Sequence, residues 1–381
     1  MDVDSWKSAG LWDPDAPDAD ERQALLAYLS GRGATLEQMA TAHRSGSLPA
    51  VAGDLVMGMG TQQATLSLEE VAARYGVPVE RVRRVLLAVG LPVATDSKVP
   101  EGLGSLMLAF EQGVALMGEE AILAFTRVLG AAAINVAEAA VALFYAELGP
   151  GTGREGSDEL ARAKVAETAT LAFAAVPEAL TQVLIAQFDR ATRRAAVARG
   201  WSASNDVKSG AVPAPPGEVI AIGFVDLVGS TQWAEGLSLR DYSLALARFE
   251  SSAWSSAVLA GGRVVKMIGD EVFFAAPSVD AACRIGAEVC QAAAEDPLLP
   301  PARGAVGHGL VTPREGDYFG PLVNQVSRLV KTAAPGQVVL TEQAAASLDP
   351  PDGWILRDLG LQPLRGVEQP VRVFAVRQAS P

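Results

Sequence analysis

Residues 262–276, GRVVKMIGDEVFFAA, decide how this chain is read. Apolar residues run up to Ile268 and resume at Val272, with Ile-Gly-Asp between them. The pattern predicts two short strands joined by a tight turn over Gly262–Ala276. This hairpin lies in the second of two stretches with different textures. Residues 1–200 are rich in Ala, Leu, Glu and Arg, show little period-2 alternation and read as helix. The predicted helices are Asp20–Ser30, Ser67–Tyr75, Val79–Val89, Leu103–Gly118, Glu119–Leu148, Ser157–Ala175 and Glu178–Arg199. Residues 201–217, WSASNDVKSGAVPAPPG, have the Ser, Gly, Asn and Pro content of a linker. After it, strands are predicted at Glu218–Val225, Gly304–Thr312, Gln337–Thr341, Trp354–Leu359 and Val371–Val376, with helices at Ser238–Ala260, Val279–Glu295 and Pro321–Ala334. The expected architecture is an all-α domain over 1–200 and an α+β domain over 218–381, its helices covering a mostly antiparallel sheet.

The chain has 381 residues, 49% hydrophobic and 20% charged, enough for two cores. Its net charge of −13 argues against general nucleic-acid or anionic-lipid binding. The start, MDVDSWKSAG, is acidic where a secretory signal is basic. The apolar helical stretches are interrupted by Arg127, Glu138, Glu147, Glu167 and Glu178, so no membrane-crossing helix is expected. The expected location is cytoplasmic, with peripheral membrane association as the remaining option. Cys283 and Cys290 stand at i and i+7 of one predicted helix. That spacing is too far for a disulfide, so both read as small buried hydrophobes.

Three pieces carry chemistry. In GFVDLVGST (223–231), Asp226 ends a buried strand and precedes Gly229, Ser230 and Thr231. A carboxylate beside a turn of backbone N–H groups suits a divalent cation and a phosphate, although strand–Asp–turn also serves plain capping. In KMIGDEV, Asp270 supplies a second turn carboxylate, with Lys266 four residues earlier; a simple hairpin would use Gly-Asp too. In GDYFGPLVNQVSRLVKTAAPGQVVLT (316–341), Asp317 precedes an aromatic pair, and Asn324 and Arg328 share one helix face. Arg offers a planar fork of donors for phosphate, and Asn an amide that can orient a sugar oxygen.

In this order and spacing the three pieces resemble the class III adenylate cyclases, from Glu218 to Val376. The resemblance implies a ferredoxin-like βαββαβ core and a catalytic domain over 218–381. It implies that Asp226 and Asp270, helped by the Leu227 carbonyl, hold two Mg²⁺ or Mn²⁺ ions per site. Lys266 and Asp317 read the adenine edge, Asn324 orients the ribose, and Arg328 meets charge at the α-phosphate. Gly229, Ser230 and Thr231 cradle the outer phosphates, and Arg365 in LRGVEQPVRVF is the basic residue expected at the triphosphate. Adenine offers a donor at N6 and an acceptor at N1, which suit Asp317 and Lys266; guanine reverses the pattern, so ATP is expected over GTP. The family builds each site across a head-to-tail dimer, which predicts a homodimer.

The helical half resembles, in layout, the regulatory and dimerising half of soluble mycobacterial cyclases, where it inhibits catalysis and releases it at acid pH. A lipid or fatty acid between the apolar helices of 103–188 is a further expectation from that likeness. The competing reading starts from SLEEVAARYGVPVERVRRVLLAVGL (67–91). Two short helices around Gly76, with Arg81, Arg83 and Arg84, have the form of a helix-turn-helix. The chain would then be a DNA-binding regulator with a non-catalytic, nucleotide-sensing domain.

Overall fold

The structure is a computed structural model describing residues 2–56, 65–94, 97–148, 159–198, 217–348, 353–367 and 369–379. The expected linker lies outside these residues except for Gly217. The chain divides into two compact units, Met1–Gln187 and Phe188–Pro381.

The first unit is helical, as expected, apart from one short ribbon. Thr65–Ser67 pairs antiparallel with Lys98–Pro100, too briefly for its alternation to stand out in the sequence. One core gathers Trp6, Leu25, Leu29, Met39, Val51 and Ala163, and a second gathers Leu68, Val71, Val82, Val85, Met107 and Phe110. The helix Leu68–Tyr75 opens on a reciprocal cap between Ser67 and Glu70 and stops at Gly76, whose φ of 65° suits glycine. The helix Val79–Ala88 follows directly. Its arginines are engaged within the fold: Arg81 with Glu111 at 3.1 Å and Glu119 at 3.2 Å, Arg84 with Glu119, and Arg83 with the Val93 carbonyl at 3.2 Å. These pairs neutralise the charge that a phosphate backbone would need, which removes the main support for the DNA-binding reading.

The expectation of no span-length apolar helix needs correction. Among the described residues two stretches are long and apolar enough to cross a membrane by length and composition: Glu119–Leu143, mean hydropathy 1.4, and Glu159–Ala196, mean hydropathy 1.5. The interrupting charges are spaced widely enough to leave an 18-residue window with at most two of them. Ile134, Val141, Leu180, Leu184 and Ile185 are exposed along these helices.

The second unit is built on one sheet. Its elements are β1 (Glu218–Leu227), α1 (Leu239–Leu259), β2 (Arg263–Ile268), β3 (Glu271–Ala276), α2 (Val279–Glu295), β4 (Ala302–Arg314), β5 (Asp317–Phe319), α3 (Pro321–Leu329), β6 (Val338–Thr341), β7 (Trp354–Gln362) and β8 (Val371–Gln378). The strand order is β2-β3-β1-β4-β6-β8-β7, with β5 paired to β4. Every pairing is antiparallel except β4 with β6. The βαββαβ core and the mostly antiparallel sheet are therefore as expected. The β5 strand was not foreseen; it is three residues long and exists through its pairing with β4. The helix expected to reach Ala334 ends at Leu329 and tightens into a 3₁₀ turn over Val330–Thr332.

Alternation on β1 puts its side chains into two cores. Ala221 and Val225 pack with Phe249 and Ala253 of α1 and with Ile285 and Val289 of α2. Ile222 and Phe224 pack on the other face with Phe273, Val326 and Leu329. Phe224 and Phe273 are cross-strand partners with rings stacked at 4.5 Å. Gly223 sits under Phe274, where a Cβ would come within 2.2 Å of the ring. A central strand buried on both faces is stiff, and it is this strand that carries Asp226.

Candidate active site

Asp226 stands one residue before the end of β1, on the α3 side of the sheet. Its register partners are Glu271 on β3 and Arg303 on β4, so the three form a row across three strands. The Asp226 carboxylate is buried, at 4% side-chain exposure, and such a charge requires partners. Arg303 donates to its Oδ2 from Nε at 3.0 Å and Nη2 at 2.9 Å. Lys331 donates to Oδ1, and its Nζ is also 2.9 Å from Glu271 Oε2. Burial pushes the Glu271 carboxyl above the ordinary carboxylate range, against the pull of Lys331. Burial lowers the Lys331 ammonium, but its bonds to Asp226 and Glu271 outweigh that and hold it above the usual lysine value.

The turns beside this row are stitched together. The Leu227 N–H donates to the Asp270 carbonyl at 3.2 Å, and the Val228 N–H to the Pro301 carbonyl at 2.8 Å. Gly229, at φ 69°, then starts the short helix Ser230–Glu235. Gly269, at φ 64°, makes the β2–β3 turn that presents Asp270. The result is a cavity of about 470 Å³ lined by Asp226, Leu227, Gly229, Ser230, Thr231, Ile268, Asp270, Glu271, Arg303 and Lys331. Each metal and phosphate residue expected from the sequence lines it, except Arg365.

The donor set fits a hard divalent cation. Asp226 and Asp270 bring two carboxylates to one cavity that Leu227 also lines, with Arg303 and Lys331 paired to Asp226 there. Among the described residues no three His, Cys, Asp or Glu side chains cluster as a closed metal cage. Two carboxylates with room for substrate oxygens is the pattern Mg²⁺ favours.

The base-reading pair is also brought together. Lys266 Nζ lies 2.6 Å from Asp317 Oδ2. Asp317 opens β5 after a two-residue turn, Glu315 at φ 55° and Gly316 at φ 81°, which matches the twist of the strands. Arg263 secures the turn by donating to the Gly316 carbonyl at 2.9 Å and lying 4.9 Å from the Tyr318 ring. Asn324 and Arg328 are exposed on α3, and Arg328 donates to the Gly366 carbonyl at 2.9 Å. Neither lines the cavity. Arg365 is an exposed residue of the turn beside Gly366, and the cations that do line the cavity, Arg303 and Lys331, were not foreseen. Arg303 is signalled only by strand register, and Lys331 only by the tightening of the chain after α3.

The chain resembles known proteins over both of its units. Residues 8–188 match the family model described as adenylate cyclase regulatory domain. An uncharacterized protein of Mycobacterium tuberculosis strain H37Rv is 29% identical over 98% of this chain and 94% of its own length. An adenylate cyclase of Glutamicibacter nicotianae is 29% identical over 73% of this chain and 70% of its own. A pH-sensitive adenylate cyclase of Mycobacterium tuberculosis strain CDC 1551 is 28% identical over 84% and 80%.

Proposed function

We propose that the chain is an adenylate cyclase carrying this regulatory domain, and that it converts ATP to 3′,5′-cyclic AMP and pyrophosphate at sites shared between two copies of the chain. The observation that carries this reading is the single cavity joining Asp226, Asp270, the Gly229–Thr231 turn and two cations. When bound at Asp226 and Asp270, Mg²⁺ or Mn²⁺ ions lower the pKa of the ribose 3′-OH and neutralise the leaving pyrophosphate.

The chain's own residues do the rest. Backbone N–H groups of the 229–231 turn and the Arg303 guanidinium hold the outer phosphates in place. Lys266 donates to adenine N1 and Asp317 accepts from N6, a pair preset at 2.6 Å and mismatched to guanine. Asn324 orients the ribose, and Arg328 meets the charge that develops on the α-phosphate oxygens. Both are exposed on α3 and neither lines the cavity, which favours their serving the cavity of a second copy in a head-to-tail homodimer. Cyclic AMP formation from ATP with Mn²⁺ is expected of the wild type and lost in Asp270→Ala; equal rates would refute the reading.

The helical unit supplies regulation. Exposed apolar residues along Glu119–Leu148 and Val176–Ala198 support a dimer core there, with a fatty acid as the competing occupant. The relative with a pH-sensitive name supports acid activation. The pH–activity curve of the full chain is then expected to differ from that of residues 212–381, and superimposable curves would exclude it. ATP as substrate supports a cytoplasmic location.

A further inference from the structure

Lys331 has no part in the chemistry outlined above, yet it sits where the first metal ion is expected. Both oxygens of Asp226 are taken, Oδ2 by Arg303 and Oδ1 by Lys331. With the carboxylate buried, a further cation at Oδ1 competes with the Lys331 ammonium for that oxygen. Resting on the reading of Asp226 as a metal ligand, we infer that Lys331 is a tethered cation that holds the first metal position in the resting chain and passes to the triphosphate when metal and nucleotide arrive.

The two cations are not equally free to move. Arg303 is four-fifths buried, and its Nη1 also donates to the Lys331 carbonyl at 3.0 Å, so three of its donors are committed. Lys331 has a half-exposed, flexible side chain whose backbone is pinned by that same bond. Its head can swing about a fixed base. The Gly229–Thr231 turn lines the same cavity, so an anion bound there lies within its reach. A divalent ion placed on Asp226 beside an unmoved ammonium would meet like charge at close range. Displacement relieves that repulsion, and the phosphate then re-pairs the ammonium. Metal and nucleotide are thereby coupled: each favours the binding of the other through one side chain.

The test is Mn²⁺ titration of the full chain without nucleotide, free Mn²⁺ being read by electron paramagnetic resonance. Lys331→Met is expected to bind Mn²⁺ about tenfold more tightly than the wild type. It should also gain less affinity on addition of a non-hydrolysable ATP analogue, while Lys331→Arg behaves as the wild type. Equal or weaker Mn²⁺ binding by Lys331→Met overturns the inference. Adding Asp226→Asn to Lys331→Met separates the two readings. Mn²⁺ binding insensitive to Asp226→Asn removes the metal site and this inference with it, whereas binding that needs Asp226 but ignores Lys331 removes the inference alone. Should Lys331→Met not fold, a crystal of the wild type with Mn²⁺ and the analogue decides: Lys331 off Asp226 supports the inference, and Lys331 still on it overturns it.

Discussion

The row Glu271–Asp226–Arg303 and the α3 face bearing Asn324 and Arg328 are built in opposite ways. The first is buried in the sheet, crossed by three strands and closed by Arg303 and Lys331. The second is open to solvent, with Arg328 resting on the Gly366 carbonyl. Electrostatics explains the contrast. A carboxylate in a protein interior is costly without countercharges, so the chain must supply them itself. An amide and a guanidinium on an exposed helix need nothing from their own chain, and are free to complete a site elsewhere.

Each prediction tests that contrast. The largest effect belongs to the buried row: Asp226→Asn should lower the rate of cyclic AMP formation about 10³-fold, through loss of the charge that holds metal. A variant keeping more than about a tenth of wild-type activity would deny the row its role. Asn324→Ala should cost less, about 10²-fold, because it removes orientation but no charge. Mixed with Asp226→Asn chains, it should recover about a quarter of wild-type activity, since half of randomly paired dimers then hold one intact site of two. A mixture as inactive as its parents would place both groups of residues in one chain.

Asp317→Ala should act on selectivity more than on rate. It frees Lys266 and removes the acceptor for the adenine amino group, so the ratio of kcat/KM for ATP over GTP should drop about tenfold. An unchanged ratio would remove the pair from base reading.

The smallest effect lies on the opposite side of the sheet from Asp226, at Cys283 and Cys290. Both are buried, and burial pushes each thiol up from 9.0 to about 12. The raised folded value means that their contribution to stability is complete below pH 9.0 and is lost as the pH climbs toward about 12. Urea midpoints measured across that window should fall, and less so for the Cys283→Ala/Cys290→Ala double variant. Equal slopes would show that neither thiol is sequestered.

The turn chemistry of residues 262–276, with Gly269 between two apolar runs, was legible because a hairpin is a local event. The same holds for α2, whose observed bounds, Val279–Glu295, are those expected, and for its buried thiols. What escaped the sequence depends on chain segments that meet late. Strand β5 has no pattern of its own and forms on β4. The ribbon Thr65–Ser67 with Lys98–Pro100 is similar. Arg303 and Lys331 are an ordinary arginine and lysine in the sequence, and become part of the cavity only once the sheet register is set.

Residue types and their spacing thus sufficed for the fold class, the two carboxylates, the Lys266–Asp317 pair and the Asn324–Arg328 helix face. All but the Lys266–Asp317 pair, which the resemblance to the class III cyclases implied, follow from local periodicity or turn geometry, which short-range sterics dictate. Tertiary structure alone decided which charges surround Asp226. Register across β3, β1 and β4 placed Glu271 and Arg303 at its sides, and the 3₁₀ turn after α3 brought in Lys331. Neutralising a buried carboxylate requires partners from sequence-distant segments, and only the folded chain specifies them.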